Sequence, residues 1–116
     1  MPRTDHLKTS WYYILLTLSA EPRHGLEIAR EVSQLSGGRV RLWPTALYGA
    51  IETLTEHGWI EEIVDDRRRP ANASERKRIY VLTAPGRAVL RQETRRLEDL
   101  VRLARTLQAS DKRGRA

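Results

Sequence analysis

Between Trp43 and Leu82 a helix opened by a proline (Pro44 to His57), a glycine turn, a strand, an arginine-loaded loop and a second strand follow in that order, and Thr83-Ala84-Pro85-Gly86 comes next. Two apolar helical patterns precede this run and one long helical pattern follows it. The order predicts a mainly α chain with a small β-hairpin: a winged helix-turn-helix domain plus a long C-terminal dimerisation helix. The pattern divides the chain into a winged domain at 1–82, with the wing at about 65–78, a C-terminal helix at 83–108 and a basic flexible tail at 109–116. Domains of this plan commonly bind DNA.

In the first helix Leu7, Trp11, Ile14, Leu15 and Leu18 recur at helical spacing, while Tyr12, Tyr13 and Leu16 make its other sides apolar. A helix apolar nearly all round must be buried on more than one side. Glu21-Pro22-Arg23 breaks it. Gly25 opens a second helix whose apolar face is Leu26, Ile28, Ala29, Val32 and Leu35, and Ser36-Gly37-Gly38 supplies residues that tolerate a left-handed C-cap. Arg39-Val40-Arg41-Leu42 alternates charged and apolar residues, the signature of a short half-buried strand. Pro44 suits a first helical turn, where its missing N–H would be unpaired anyway. Leu47, Ala50, Ile51 and Leu54 form the inward stripe of that third helix, so Thr45, Ala46, Tyr48, Gly49 and Glu52 face outward. Gly58 ends it, Trp59 to Val64 and Ile79 to Leu82 read as hairpin strands, and Pro70, Asn72 and Ser74 mark an exposed loop between them. From Pro85 to Gln108 one helical pattern runs unbroken, with Thr83 as its N-cap.

Composition narrows the functional classes. A chain of 116 residues forms one compact domain with an appendage. The lack of cysteine excludes disulfides and thiolate metal sites. There is no apolar run near the ~20 residues of a membrane span, and Met1 to Ser10 lacks a signal peptide's apolar centre, which predicts a soluble cytoplasmic protein without a membrane partner. His6, His24 and His57 have no ligand spacing, and Gly37-Gly38 is not followed by the Lys-Ser/Thr of a phosphate-cradling loop, so neither an enzyme nor a cofactor is expected. The net charge is +6, yet residues 1–64 carry 6 Lys/Arg against 8 Asp/Glu while residues 65–116 carry 15 against 7. That concentration of positive charge in the second half suits a polyanion.

In the last helix Leu90, Leu97 and Ala104 fall seven apart, with Leu100 and Leu107 in complementary heptad positions and Glu93 interrupting them. Such a seam packs within a chain or against a second copy. Because a domain of this size cannot cover both this seam and an all-round apolar first helix, a homodimer is expected, with Leu7, Trp11, Leu90, Leu97, Leu100, Ala104 and Leu107 at its interface.

Tyr12 to Leu18, Arg23-His24-Gly25-Leu26-Glu27-Ile28, Gly38 to Leu42, Pro44 to Leu54 with Leu47-Tyr48, Gly58 to Glu62, and Arg78-Ile79-Tyr80-Val81-Leu82-Thr83-Ala84-Pro85-Gly86-Arg87 stand in an order and spacing that resembles the PadR family of transcriptional regulators. The short single C-terminal helix is similar to that family's smaller subfamily. The resemblance implies a dimeric winged-helix repressor whose first and last helices make the dimer and whose third helix enters the major groove. It further implies a wing that meets the backbone or minor groove, and a small aromatic or drug-like effector bound between subunits. This chain departs from the family pattern at Trp43, where a small residue is usual, at Thr45-Ala46, where Gly-Thr is usual, and at Gly49, where Arg is usual.

From Trp43 to Ile60 there is no Lys or Arg, so a bidentate arginine contact to guanine is unavailable from the third helix. Thr45, Ala46, Tyr48 and Gly49 are its candidate DNA contacts, Ala46 toward a thymine methyl, although half-buried packing against the wing is an alternative role for Tyr48. Arg67, Arg68, Arg69, Arg76, Lys77 and Arg78 place six cations in twelve residues for phosphates or a narrow minor groove. Arg78 has an ion pair with Glu61 or Glu62 as its alternative, and Arg39 and Arg41 are either further DNA contacts or plain surface residues. Trp11, Tyr12, Tyr13 and Trp43 are candidates for an effector pocket, with core and dimer packing as the other reading. Two functions stay open: a ligand-responsive repressor of double-stranded operator DNA, and a winged-helix module that binds protein, the latter favoured by Glu52 and Glu56 on the third helix.

Overall fold

The computed structural model describes residues 7–64 and 78–114, and side chains for all of these but residue 64 and residues 111–114. In chain order the elements are α1 (Thr9–Ala20), β1 (Arg23–His24), α2 (Gly25–Leu35), α3 (Pro44–Glu56), β2 (Ile60–Val64), β3 (Arg78–Leu82) and α4 (Ala84–Gly114). The strands form an antiparallel sheet ordered β1-β3-β2. Among the described residues no helix is long and apolar enough to cross a membrane.

The core gathers residues from the four helices and two of the strands: Ile14, Leu15 and Leu18 of α1, Ile28 and Val32 of α2, Leu47, Ile51 and Leu54 of α3, Ile60 of β2, Tyr80 of β3 and Leu90 of α4. Each such leucine or isoleucine contributes roughly 2 kcal/mol by leaving water. Trp11, Tyr12, Tyr13 and Leu16 pack against that core from the other sides of α1, as its all-round apolar pattern requires. The break after α1 is held by Arg23, whose guanidinium Nε–H donates to the Thr17 carbonyl at 3.1 Å and which pairs with Glu21 at 3.4 Å.

Three expectations change. Arg39–Leu42 is not a strand; its charged residues are exposed and Val40 and Leu42 half-buried, as the alternation required, but the Val40 N–H donates to the Ser36 hydroxyl at 2.9 Å instead of to a neighbouring strand. The sheet's edge is supplied by β1, where Arg23 lies opposite Tyr80 and His24 opposite Ile79. The last helix runs through Gly114, so residues 109–114 belong to it and not to a flexible tail.

The junction that joins the end of α3 to the start of α4 is made of backbone groups and one side-chain hydroxyl. Gly58 takes φ +79°, a conformation in which a glycine avoids the strain of a side chain, and the Trp59 N–H then reaches back to the Leu54 carbonyl. Thr83 caps α4 as expected: its hydroxyl accepts the Gly86 N–H at 3.0 Å and donates to the Gly58 carbonyl at 2.6 Å, while the Thr83 N–H donates to the Trp59 carbonyl. The end of α3 and the start of α4 thus share one hydrogen-bonded knot.

Candidate nucleic-acid interface

Because Leu47, Ala50, Ile51 and Leu54 turn inward, α3 presents Thr45, Ala46, Tyr48, Gly49 and Glu52 to solvent, all exposed. Tyr48 is 47% exposed but not idle: its ring lies over Gly25, where a Cβ would stand 2.9 Å from the phenol oxygen. Its packing partner is therefore the start of α2. Arg39 and Arg41 are exposed just ahead of α3 and form no ion pair among the described residues.

In the hairpin Glu62 sits opposite Tyr80 and Ile60 opposite Leu82, so the face that is apolar near the core becomes charged toward the connection. There Arg78 approaches Glu62 at 3.4 Å, with the arginine side chain 70% exposed. A pair so exposed stabilises little and leaves Arg78 able to turn to a phosphate. Burial pushes the Tyr80 phenol above its usual value, and the nearby Glu62 carboxylate adds to the shift. Arg67, Arg68, Arg69, Arg76 and Lys77 lie outside the described residues.

At the start of α2 the Glu27 carboxylate accepts the His24 backbone N–H at 2.8 Å and the imidazole Nδ1–H at 3.0 Å. The backbone hydrogen bond, helped by the imidazole and by Arg23, holds the Glu27 carboxyl below its usual value against the cost of partial burial. His24 is thus a residue of the helix start.

The proposed seam divides. Leu7 and Leu90 are already buried in the core of this one chain, and Glu93, the interruption, is buried beside them and bridged at both carboxylate oxygens by Arg96. These hydrogen bonds raise the arginine's already high pKa. Leu97 is half-buried, whereas Leu100, Ala104 and Leu107 are exposed along with Val101 and Leu103.

The four effector-pocket candidates are not brought together. Tyr12 lines an open groove of about 620 Å³ with Thr94, Leu97, Val101 and Arg105. Its hydroxyl donates to Thr94 Oγ1 at 2.8 Å, since the Thr94 proton is used on the Leu90 carbonyl. Trp11 is elsewhere, tilted against His57 at 6.2 Å, and His57 stacks on Trp59 with ring centres 4.4 Å apart. Tyr13 packs on the core. Trp43, 68% exposed and outside the core cluster, stands at the N-cap of α3 and lines no part of that groove. The sequence carried no signal for the His57–Trp59 stack, because residues two apart on a helix point away from each other; the left-handed turn at Gly58 folds the two rings together.

The family model for the transcriptional regulator PadR-like family matches residues 14–92, about two thirds of the chain. No curated protein matches the chain in sequence. Among solved structures, a PadR family transcription regulator from hypervirulent Clostridium difficile is similar with a TM-score of 0.71 at 18% identity, over 87% of this chain and 99% of that one. A transcriptional regulator from Clostridium thermocellum gives a TM-score of 0.68 at 20% identity, over 83% and 89%. Bacillus subtilis PadR, solved in complex with operator DNA, gives 0.63 at 21% identity, over 73% of this chain and 46% of that one.

Proposed function

The chain belongs to the PadR-like family of transcriptional regulators, and from that premise we propose that it is a homodimeric repressor that binds double-stranded operator DNA and is released by a small aromatic or drug-like effector. The observation that carries the DNA-binding reading is the exposed, uncharged outer face of α3 at Thr45, Ala46 and Gly49, which has exposed Arg39 and Arg41 immediately before it. A shared fold with a regulator described in complex with operator DNA supports it. In this reading α3 lies in the major groove, and the segment joining β2 to β3 supplies Arg67, Arg68, Arg69, Arg76 and Lys77 to phosphates or the minor groove.

Dimerisation is supported by the half of α4 that carries Leu100, Val101, Leu103 and Leu107 about half exposed. The effector's place in this reading is the groove beside Tyr12 and Leu97, which a second copy packed on α4 would roof over. A ligand there releases DNA only if it binds the free and DNA-bound dimers unequally, so operator and effector must weaken one another by the same factor. A titration with planar aromatic compounds, followed by tryptophan fluorescence with and without operator, tests that reciprocity.

Exposed Glu52 and Glu56 favour a second reading, a winged-helix module that binds protein. A gel shift on the DNA upstream of the protein's own gene separates the two. Retarded, competitor-resistant complexes are expected, and their absence on that DNA and on random duplex would favour the protein-binding module.

A further inference from the structure

Trp43 breaks two local rules at once. It is the N-cap residue of α3 and makes no side-chain hydrogen bond to the helix start, at a position where Ser, Thr, Asp or Asn would satisfy one of the free N–H groups. It also leaves 68% of a large indole in water, outside the cluster that packs against the core. Neither the capping nor the packing of this chain explains its presence, and uncompensated departures of this kind concentrate at functional positions.

The rest of the face is equally unusual. Gly49 is an exposed residue in a helix interior, where glycine is unfavourable, and a Cβ there would meet nothing within 4 Å, so the fold does not require it. Thr45 and Ala46 are exposed and small, and no cation stands between Trp43 and Ile60. The first two turns of α3 therefore offer an indole, two methyl groups, the bare backbone of Gly49 and single hydroxyls at Thr45 and Tyr48, with no cation among them. A surface of that kind cannot donate a fork of hydrogen bonds to guanine, but it fits the one apolar group that base pairs present in the major groove, the C5 methyl of thymine. The exposed cations Arg39 and Arg41, directly before Trp43, complement the phosphates that border such a site.

We propose that Trp43, with Ala46 and the Thr45 methyl group, reads thymine C5 methyl groups in the major groove, so that thymine positions set this protein's operator specificity. The inference rests on the DNA-binding reading above. It assigns Trp43 to the DNA and not to an effector pocket.

The test begins with selection of preferred sites from random duplex DNA by the full chain. Each thymine of the selected half-site is then replaced by deoxyuridine, which deletes only the methyl group, and affinity is read by fluorescence anisotropy. At one or more positions the replacement should weaken binding about fourfold, the worth of one buried methyl group. In Trp43→Ala the same replacement should cost nothing, while Trp43→Phe should keep the effect. Trp43→Ser should separate fold from readout, raising the melting temperature by about 4 °C through a restored cap while losing the thymine effect. Specific binding that is indifferent to every deoxyuridine, or equally sensitive in Trp43→Ala, overturns the proposal and leaves the DNA-binding reading intact. Failure to bind any duplex overturns both.

Discussion

Gly86 stands where the fold leaves no room for a side chain. A Cβ there would overlap the carbonyl oxygen of Trp59 and stand 2.8 Å from its carbonyl carbon, and both are backbone atoms held in the knot that ties α3 to α4. Gly86→Ala should therefore cost about 3 kcal/mol or more in a denaturant melt, whereas Gly49→Ala, with open space around it, should be neutral or stabilising by up to about 1 kcal/mol. Comparable losses in both variants would mean that the knot is drawn wrongly. Thr83 was legible as a cap because capping is local, but the need for glycine three residues later comes from a carbonyl 27 residues upstream and leaves no local trace. Glu27 makes a second prediction at this scale. Its carboxyl stays ionised to lower pH in the folded chain than at the ordinary value of 4.5, so its contribution to stability is complete above that value and is lost as pH falls through the folded one. Glu27→Gln should flatten the fall in melting temperature between about pH 5 and pH 3, and an unchanged slope would contradict the assignment.

At the scale of elements, the helices were legible because hydrophobic periodicity, Pro44 and the glycine stops all act within a few residues. The hairpin strands Ile60–Val64 and Arg78–Leu82 were legible for the same reason. The third strand was not: β1 is two residues long and exists because β3 offers it a free edge, while Arg39–Leu42 has a strand's alternation and no edge to join. Alternation reports which side is buried, and pairing is decided by tertiary arrangement. In the candidate site, the outward face of α3 was legible from its inward stripe, but the exposure of Trp43 and the seating of Tyr48 on Gly25 depend on how α2 and α3 meet. The segment between β2 and β3 carries its own prediction. Replacing Arg67, Arg68 and Arg69 with Ala should weaken binding to all duplexes alike and make the salt dependence shallower by about 0.9 for each phosphate the variant no longer neutralises. Selective weakening on one sequence would mean that these arginines read bases.

The described residues span 69 × 33 × 23 Å, and much of the long dimension is α4. Its first turns pack on α1 through Leu90 and the Tyr12–Thr94 hydrogen bond, and its second half carries leucines about half exposed, which a second copy of the chain would cover. Leu107→Asp places a charge where that seam would close and burial unpaired is costly, at a position that contributes nothing to the core of one chain. Light scattering should find this variant monomeric with unchanged helix content; a stable dimer would place the interface elsewhere. A two-fold dimer of this kind meets inverted half-sites about 10 bp apart or a multiple of that.

If such a dimer holds DNA chiefly through its cationic second half, with α3 adding selectivity, the decisive measurement is its affinity for operator and for random duplex across a range of salt. With about 6 phosphates engaged, log K should fall against log salt with a slope near −5 on both DNAs, the operator remaining the tighter throughout. An affinity indifferent to salt, or no preference for operator at any salt, would contradict it.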